Sequence, residues 1–291
     1  MTQLAAHSSR HQDHLDGDDR QTWPTRPGEI VVRMQAGPNH VDHGPGTGAR
    51  SQMSERGDPS ISGIGAAGTV IATGDRVTRF AVGDEVFGHF RADSSSWVQA
   101  PCARTTDGAH IELRPEGLDP LAAAALAGAG LAATTLLRAA EPQPGETAVL
   151  IGATSEAGTV LVPLLTEAGV HVTAGATPED DAYVRSLGAA ETFEYTSADP
   201  LADALASHPD GELLVDLVTF GEPYFITATA PHGTIVTALP AAHEPGIGVP
   251  RIGISAEPGD LAALAQRALV GRQPVEIAHV YRLERSTRHV G

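Results

Sequence analysis

The sequence predicts an α/β fold, in which a parallel sheet with helices on both faces follows a smaller domain of short strands. From Asp119 onward, apolar strands of five to seven residues alternate with helical segments, as expected for a parallel sheet. Before residue 115, short strands are separated by glycine-containing turns, a pattern that is typical of a small β-barrel. The apolar share of 41% is sufficient for a sizeable core in a chain of 291 residues.

The first part of the chain contains the predicted barrel strands. Residues 28–37 (GEIVVRMQAG) are predicted to form a strand closed by a turn, and residues 68–74 (GTVIATG) a second strand. Residues 75–90 are predicted to form two short strands around a Gly-Asp turn. The glycine-rich, polar residues 42–60 should be a long loop. Residues 1–26 are polar and aperiodic, so we expect a disordered or irregular arm.

The second part begins with a long alanine-rich helix, for which Asp119 is a suitable N-cap and Pro120 a suitable first residue. Alternating elements follow. Strands are predicted at 147–153, 170–176, 191–196, 213–219, 233–239 and 276–283, and helices at 157–168, 180–187, 199–207, 222–230 and 259–270. The last strand is expected to return to the first domain. The predicted organisation is therefore an arm (1–26), a barrel (27–117), an α/β domain (118–272) and a return segment (273–291).

Composition excludes several classes of partner. The net charge of −17 argues against nucleic acid and anionic membranes, because both are negatively charged. The most apolar stretch, residues 121–137, is rich in alanine and glycine and is interpreted as a buried helix. The first 21 residues lack the pattern of a signal peptide, so we expect a cytoplasmic protein. The single cysteine, Cys102, rules out an intrachain disulfide, and it is a better candidate for a buried small residue than for a nucleophile.

A strand–turn–helix segment is the strongest chemical signal. The strand TAVLIGA leads into residues 152–158 (GATSEAG) and then into a helix. Small residues at such a turn allow the backbone to approach a pyrophosphate, and the helix N-terminus offers N–H groups and a partial positive charge. The same segment is also compatible with a tight turn that binds nothing. Residues 152–158 are therefore a candidate nucleotide site, with the structural alternative left open.

Over residues 27–289 the chain resembles the zinc-free medium-chain dehydrogenases/reductases of the quinone oxidoreductase and enoyl reductase kind. The resemblance lies in GEIVVRMQAGPNHVD, SGIGAAGTVIATGDRVTRFAVGDEVFG, GLDPLAAAALAGAGLAATTLL and the segment from PGETAVLIGATSEAG to ETFEYTS, followed by LLVDLVTF, HGTIVTAL and VYRLERS. It implies a GroES-like β-barrel domain and a Rossmann-type parallel sheet domain, with a cleft between them that holds NADPH. It also implies hydride transfer to a quinone or an activated C=C bond of a small apolar or carbonyl-containing substrate. A homodimer is a further expectation.

The resemblance also suggests site residues and excludes zinc. The zinc-using branch has a cysteine where this chain has Asn39 and a histidine–glutamate pair near Ile64-Gly65, so no metal is implied. In the zinc-free branch such an asparagine lies near the nicotinamide, although Asn39 also suits a turn at a strand end. The candidate cofactor-binding residues are Gly152, Ala153, Thr154, Ser155, Gly158, Thr177, Val218, Thr237 and Leu239. A metal cluster of His40, Asp42 and His43 is disfavoured, because a flexible glycine-rich loop preorganises no ligands.

Several residues depart from the family pattern. Ser155 and Glu156 replace glycines of the phosphate turn, and Glu156 brings a negative charge next to the expected pyrophosphate. The family's basic residue for the 2′-phosphate of NADPH aligns with Asp180, whose charge would repel that phosphate. Glu179 lies 21 residues after Gly158, close to the usual position of a ribose-binding carboxylate, but it follows a proline and is expected to cap the next helix.

Two functions follow from these observations. The first is a zinc-independent, NAD(P)H-dependent reductase of a quinone, enone or enoyl/polyketide-like substrate; NADPH is expected and NADH is possible. The second is a member of the same fold that has lost the cofactor and acts as a cyclase, isomerase or binding protein in biosynthesis.

Overall fold

The computed structural model describes residues 5–8, 25–39, 65–90, 102–106, 110–194, 208, 211–217, 224–230, 233–237, 251–253, 257–277 and 279–282. Contacts divide the chain into two compact units. The first unit comprises residues 4–128, 257–270 and 275–291, and the second comprises residues 1–3, 129–256 and 271–274. The observed division near residue 128 lies eleven residues beyond the predicted one, and residues 257–270 belong to the first unit rather than to the α/β domain.

Seven strands form the sheet of the first unit. They are β1 (Ala5–Ser8), β2 (Glu29–Asn39), β3 (Gly65–Thr73), β4 (Glu85–His89), β5 (Cys102–Thr106), β6 (Ile111–Leu113) and β14 (His279–Arg282). Their order is β14-β1-β2-β3-β4-β6, and β5 also pairs with β2. Every pair is antiparallel except β1 with β14. Alternate residues of these strands bury one apolar face, formed by Ile30, Val32, Ala66, Val70, Val86 and Ile111, and Phe80 and Phe90 from the adjoining turns pack in the same core.

At the described residues, this unit differs from two expectations. The segment expected to be a disordered or irregular arm contains β1, which pairs with β2 on one side and with β14 on the other. Pairing on both edges satisfies the backbone of this polar segment without any apolar pattern. Residues 75–84 form no strand, because Gly83 adopts a left-handed φ of 100° and the carboxylate of Asp84 accepts the N–H of Ala81 at 2.8 Å. Those ten residues form turns leading into β4.

Seven further strands form the sheet of the second unit. They are β7 (Thr147–Ile151), β8 (His171–Gly175), β9 (Glu191–Phe193), β10 (Leu213–Asp216), β11 (Tyr224–Ala230), β12 (Gly233–Thr237) and β13 (Arg251–Gly253). The order is β13-β11-β12-β10-β7-β8-β9. The five strands from β12 to β9 are parallel, as predicted, and β11 and β13 add an antiparallel edge.

The helix predicted at residues 222–230 is wrong, because Tyr224–Ala230 is strand β11. Aromatic and β-branched residues at 224–227 favour a strand over a helix. Ala230 pairs with Gly233, so a two-residue connection folds β11 back onto β12 as an antiparallel hairpin. The regular alternation of the preceding segment had suggested a crossover helix here.

Four helices are described: α1 (Pro120–Ala140), α2 (Glu156–Glu167), α3 (Asp181–Ser186) and α4 (Asp260–Leu269). The predicted cap of α1 is confirmed, since Oδ1 of Asp119 accepts the N–H groups of Leu121 at 2.8 Å and Ala122 at 3.3 Å. By length and composition α1 could cross a membrane, but 61% of its most apolar window is buried within the protein, as expected for a core helix. The helix predicted at 199–207 and the loop at 42–60 lie outside the described residues.

Within the first unit, the start of α1 packs directly on the backbone of β3. A Cβ atom on Gly65 would clash with the carbonyl oxygen of Ala124 and lie 2.6 Å from the nitrogen of Gly128. Glycine at position 65 therefore allows the backbones of a strand and a helix to touch.

Candidate nucleotide-binding site

The turn between β7 and α2 is tight and rests on a buried strand. Residues 148–151 of β7 are buried, and Gly152 follows with a left-handed φ of 90°. The N–H of Ser155 donates to the carbonyl oxygen of Gly152 at 2.9 Å, which closes the turn. A Cβ atom on Gly152 would lie 3.1 Å from Cβ of Leu217, after β10. Glycine at 152 therefore satisfies both the backbone conformation and the close contact.

Gly158 brings α2 against this turn. A Cβ atom on Gly158 would clash with the carbonyl oxygen of Gly152 and lie 2.8 Å from that of Ala153. Both neighbours are backbone atoms of a closed turn, so neither can move cheaply. The first turn of α2 thus lies directly on the turn backbone, which is the arrangement in which a helix N-terminus faces a bound pyrophosphate.

The first turn of α2 is capped from within the chain. Ser155 is the N-cap residue, and its Oγ accepts the N–H of Gly158 at 3.1 Å. This bond uses one of the four N–H groups that lack partners at a helix start. Glu156 is the first residue of the helix and is partly buried. Its carboxylate suits the helix dipole but opposes a nearby phosphate.

The loop after β8 turns a carboxylate inward. Asp180 is 6% exposed, and its Oδ2 accepts the hydroxyl of Thr177 at 3.1 Å. The N–H of Asp180 donates back to Oγ1 of Thr177 at 3.2 Å. Asp180, and not Glu179, occupies the N-cap position of α3, so the expectation that Glu179 caps this helix is wrong. Glu179 is exposed at the tip of the loop.

The next carboxylate, that of Asp181, binds the guanidinium of Arg185 in the same helix. Nε of Arg185 donates to Oδ2 of Asp181 at 3.0 Å, and Nη2 donates to Oγ1 of Thr192 at 2.6 Å. Hydrogen bonds from Thr192 and Arg185, together with the charge of Arg185, lower the pKa of Asp181 despite a small opposing effect of burial. Nη1 of Arg185 also donates to the carbonyl oxygen of Ala190 at 3.3 Å. The guanidinium is therefore directed towards Asp181 and β9.

The structure brings several of the predicted residues to one sheet edge. Because β7, β8, β10 and β12 are parallel, the turn at 152–158, Thr177 and Thr237 all lie at their carboxyl ends. Thr237 is the last residue of β12, in register with Asp216. Val218 and Leu239 lie outside the described residues. Asn39 is the last residue of β2 in the first unit, where its backbone pairs with Ala5; its side chain lies outside the described part.

Two buried polar residues near this edge were not predicted. Asp216 is fully buried at the end of β10, in register with Ile151 at the end of β7. A charged residue closing the apolar run LLVD was the sequence signal for it. Gln273 is 2% exposed, and its Nε2 donates to the carbonyl oxygen of Thr159 in α2 at 3.3 Å. No local pattern could identify Gln273, because its partner lies 114 residues away.

No three His, Cys, Asp or Glu side chains among the described residues converge to form a metal site. The side chain of Cys102 and residues His40, Asp42 and His43 lie outside the described part. Gly65, near which the zinc-using branch has its histidine–glutamate pair, has no room for any side chain.

Comparison with known proteins identifies a domain in the first part of the chain. Residues 26–141 match the model of the alcohol dehydrogenase GroES-like domain. This domain covers the sheet strands β2 to β6 and helix α1. The predicted GroES-like domain is thereby confirmed.

Curated relatives extend the similarity beyond the GroES-like domain. The chain is 30% identical to the dehydrogenase pigH of Monascus ruber over 165 residues, which is 50% of this chain and 44% of that protein. It is 27% identical to the mitochondrial NAD(P)H oxidoreductase RTN4IP1 of Mus musculus over 190 residues, 58% of this chain and 47% of that protein. It is 28% identical to the trans-enoyl reductase himH of Aspergillus japonicus over 176 residues, 55% of this chain and 50% of that protein. The chain spans about half the length of the curated relatives it matches.

A solved structure shows the fold of both units. The quinone oxidoreductase from Coxiella burnetii superposes with a TM-score of 0.66, covering 90% of this chain and 86% of that chain, at 18% identity. The GroES-like domain is thus combined with a Rossmann-type parallel sheet, as the sequence predicted. The chain is thus similar in sequence to an enoyl reductase and in fold to a quinone oxidoreductase, in agreement with the resemblance found in the sequence.

Proposed function

We propose that this chain is an NAD(P)H-dependent reductase of a small quinone, enone or enoyl-type substrate, and that it works without zinc. The observation that supports this most strongly is the contact of Gly158 with the backbone of Gly152 at the carboxyl edge of the parallel sheet. The neighbouring parallel strands are ordered β9-β8-β7-β10-β12, which is the arrangement that leaves a crevice beside β7 for a dinucleotide. The names of the relatives are consistent with reduction by a nicotinamide cofactor.

The residues of this edge fit the diphosphate of a dinucleotide. Gly152 and Gly158 leave no side chain between the phosphates and the turn backbone, and Ala153 is fully buried below it. We assign the backbone of residues 152–158 to the diphosphate, and Val218, Thr237 and Leu239 to the nicotinamide half. When bound, the dinucleotide supplies a hydride for an activated double bond or quinone. Asn39 is assigned to orient the nicotinamide or to donate a hydrogen bond to the substrate carbonyl.

Zinc independence is supported by two features of the GroES-like domain. Asn39 provides no thiolate, and the backbone contact of Gly65 with α1 leaves no space for a ligating side chain at that position. Polarisation of the substrate carbonyl is therefore assigned to hydrogen-bond donors instead of a metal ion.

Direct titration of NADH and NADPH into the full chain, followed by nucleotide fluorescence and by calorimetry, tests the proposal. We expect a dissociation constant of at most tens of micromolar for at least one nucleotide, about −6 to −8 kcal/mol. Turnover is then measured with a quinone, an enone and an enoyl thioester. No binding of either nucleotide at millimolar concentration would overturn the reductase assignment.

One observation favours a second function, that of a cofactor-free cyclase, isomerase or binding protein. The N–H of Gly158 donates to Ser155 at 3.1 Å, and Glu156 brings a carboxylate to the same helix start. Both features oppose phosphate binding. In this case neither nucleotide binds, and the double variant Ser155→Gly with Glu156→Gly should create measurable binding by removing the cap and the charge.

A further inference from the structure

We infer that the nucleotide site of this chain selects NADH over NADPH, because the end of β8 presents carboxylates where the 2′-phosphate of NADPH would lie. This inference rests on the proposed function. The family resemblance implies NADPH, so the residues of this chain disagree with the resemblance at this one subsite.

The position of the subsite follows from the topology. In a doubly wound sheet, the adenosine ribose lies at the carboxyl end of the strand that follows the phosphate turn and its helix. That strand is β8, which runs parallel to β7 with Leu150 in register with Ala174. Residues 177–181 (TPEDD) immediately follow β8 and contain three consecutive carboxylates.

Two of these carboxylates act against a phosphate, and the exposed one of them can also bind a ribose. Asp180 is buried and held by Thr177 at 3.1 Å, so its charge cannot swing away when a ligand arrives. Glu179 is exposed at the loop tip and is free to accept hydrogen bonds from ribose hydroxyls. The carboxylates of Glu179 and Asp180 would repel a doubly charged phosphate placed beside them, because like charges repel one another strongly at short distances.

The guanidinium of Arg185, which follows this loop in α3, is already engaged. Arg185 is the sole arginine between residues 168 and 194, and its Nε and both terminal nitrogens donate to Asp181, Thr192 and Ala190. The ordinary solution for NADPH, an arginine that accommodates the 2′-phosphate, would require this network to break. Breaking it would leave Asp181 with the hydroxyl of Thr192 but without its guanidinium partner.

The rest of the second unit offers no substitute. All 19 basic residues of the chain are arginines, and none occurs between residues 186 and 250. Arg138 lies in the last turn of α1, which leads to the amino end of β7, the opposite edge of the sheet. Arg251 is on β13, five strands away from β8, or about 24 Å at the usual strand spacing.

The remaining arginine of this unit, Arg272, does not distinguish NADPH from NADH. Arg272 is exposed, and its neighbour Gln273 binds Thr159 in the first turn of α2. That helix start faces the diphosphate, which NADH and NADPH share. Arg272 can therefore assist both nucleotides equally.

The test compares nucleotides that differ only in the 2′-phosphate, using binding as the readout. ADP-ribose, 2′-phospho-ADP-ribose, NADH and NADPH are titrated into the full chain by calorimetry. We expect the unphosphorylated member of each pair to bind roughly tenfold more tightly or better. Asp180→Asn combined with Glu179→Gln should reduce that ratio. Asp181→Asn, which removes the charge that pairs with Arg185, should strengthen binding of the phosphorylated members.

Two control variants test whether the difference in affinity comes from charges elsewhere in the second unit. Glu167→Gln removes one carboxylate at the far end of α2 and should leave the ratio unchanged, and Arg272→Gln should weaken all four ligands alike. Equal affinities, or tighter binding of the 2′-phosphorylated ligands, would overturn the selectivity while leaving the reductase assignment intact. Failure of all four ligands to bind at millimolar concentration would overturn both.

Discussion

Gly158 of α2 lies so close to the carbonyl oxygen of Gly152 that no side chain can stand between them. The contact joins the helix to the end of β7 through backbone atoms alone. It therefore fixes where the helix N-terminus points, and any nucleotide that binds at this edge depends on it.

Substitution of Gly158→Ala should destabilise the protein and weaken nucleotide binding together. The added methyl group would clash with two backbone oxygens, and the strain of about 1–3 kcal/mol exceeds the gain of about 0.5–1 kcal/mol from helix propensity. Chemical denaturation and nucleotide titration measure the two effects, and we expect affinity to fall by at least about tenfold.

Gly145→Ala is the matched control for this variant. Gly145 also lies in the second unit and has a φ of 92°, but no atom would lie within 4 Å of an added Cβ. It should cost about 1–2 kcal/mol of backbone strain without any loss of affinity, because it precedes β7 at the opposite sheet edge. Equal affinity of the Gly158→Ala protein and the unsubstituted protein would refute the assignment of this turn.

Gly65→Ala should loosen α1 from the GroES-like domain. The methyl group would meet Ala124 and Gly128 of the helix backbone, so the helix must shift, at a cost of about 1–3 kcal/mol. Gly37→Ala is the control, because its added Cβ would lie 3.9 Å from Gly65, an ordinary van der Waals distance. Similar unfolding free energies for both variants, measured in urea, would show that the contact is not tight.

Acid sensitivity should depend on Glu85. Burial raises the pKa of Glu85, but hydrogen bonds from Arg114 at 2.7 Å and Thr69 at 2.8 Å, the charge of Arg114 and a bond from Gln35 lower it below its usual value of 4.5. A lowered pKa in the folded state means that this stabilisation is present above pH 4.5 and is lost as the pH falls through the folded value. Glu85→Gln should therefore lose less stability than the unsubstituted protein between about pH 5 and 3.

Glu116→Gln tests whether the acid response of Glu85→Gln comes from the hydrogen bonds of Glu85 with Arg114 and Thr69 or only from the loss of a charge. Glu116 is exposed in the loop before α1. Its replacement changes the net charge of the protein by the same amount as Glu85→Gln does. Its unfolding free energy should follow the unsubstituted protein through the acid range. A parallel acid response of Glu85→Gln and the unsubstituted protein would contradict the role given to Glu85.

Arg114 should be worth more than its single ion pair suggests. Its side chain is 15% exposed, donating to Glu85 on β4 and to the carbonyl oxygen of Leu118 before α1. Arg114→Leu leaves both acceptors without this donor, and we expect a loss of about 1–3 kcal/mol in urea denaturation. Arg79→Leu is the comparison, because Arg79 also joins a carboxylate, that of Glu112 at 3.4 Å, and a carbonyl oxygen, that of Ile111 at 3.1 Å, but its side chain is 44% exposed. Its ion pair should contribute only about 0–1 kcal/mol.

Removal of β1 should destabilise the first unit. β14 pairs with β1, and β1 pairs in turn with β2, so a deletion of residues 1–10 takes away the strand that joins them. We expect a thermal midpoint lower by several degrees, since 1 kcal/mol corresponds to about 2–4 °C in a protein of this size. A deletion of residues 1–3 should have no such effect, and an unchanged midpoint for the longer deletion would contradict this role of β1.

The sequence alone was informative wherever a periodic apolar pattern coincided with capping residues. The boundaries of β7, α2 and β8 agree with prediction to within a few residues, because buried strands and a capped helix leave local signals. The two glycines of the tight turn after β7, Gly152 and Gly158, were singled out for the same reason. Strand β11 was missed because the alternation of strands and helices along the chain suggested a helix there. Its strand-forming residues and its pairing with β12 decide the structure instead.

Only the tertiary structure decided which of the charged side chains after β8 are buried, paired or exposed. Three carboxylates at 179–181 are equivalent in the sequence, yet Asp180 is buried against Thr177, Asp181 binds Arg185 and Glu179 is left exposed. Likewise, α4 follows the α/β pattern along the chain, but its contacts with β6 place it in the first unit. Sequence order specifies which residues are neighbours along the chain, whereas burial and ion pairing depend on what the folded chain brings from a distance.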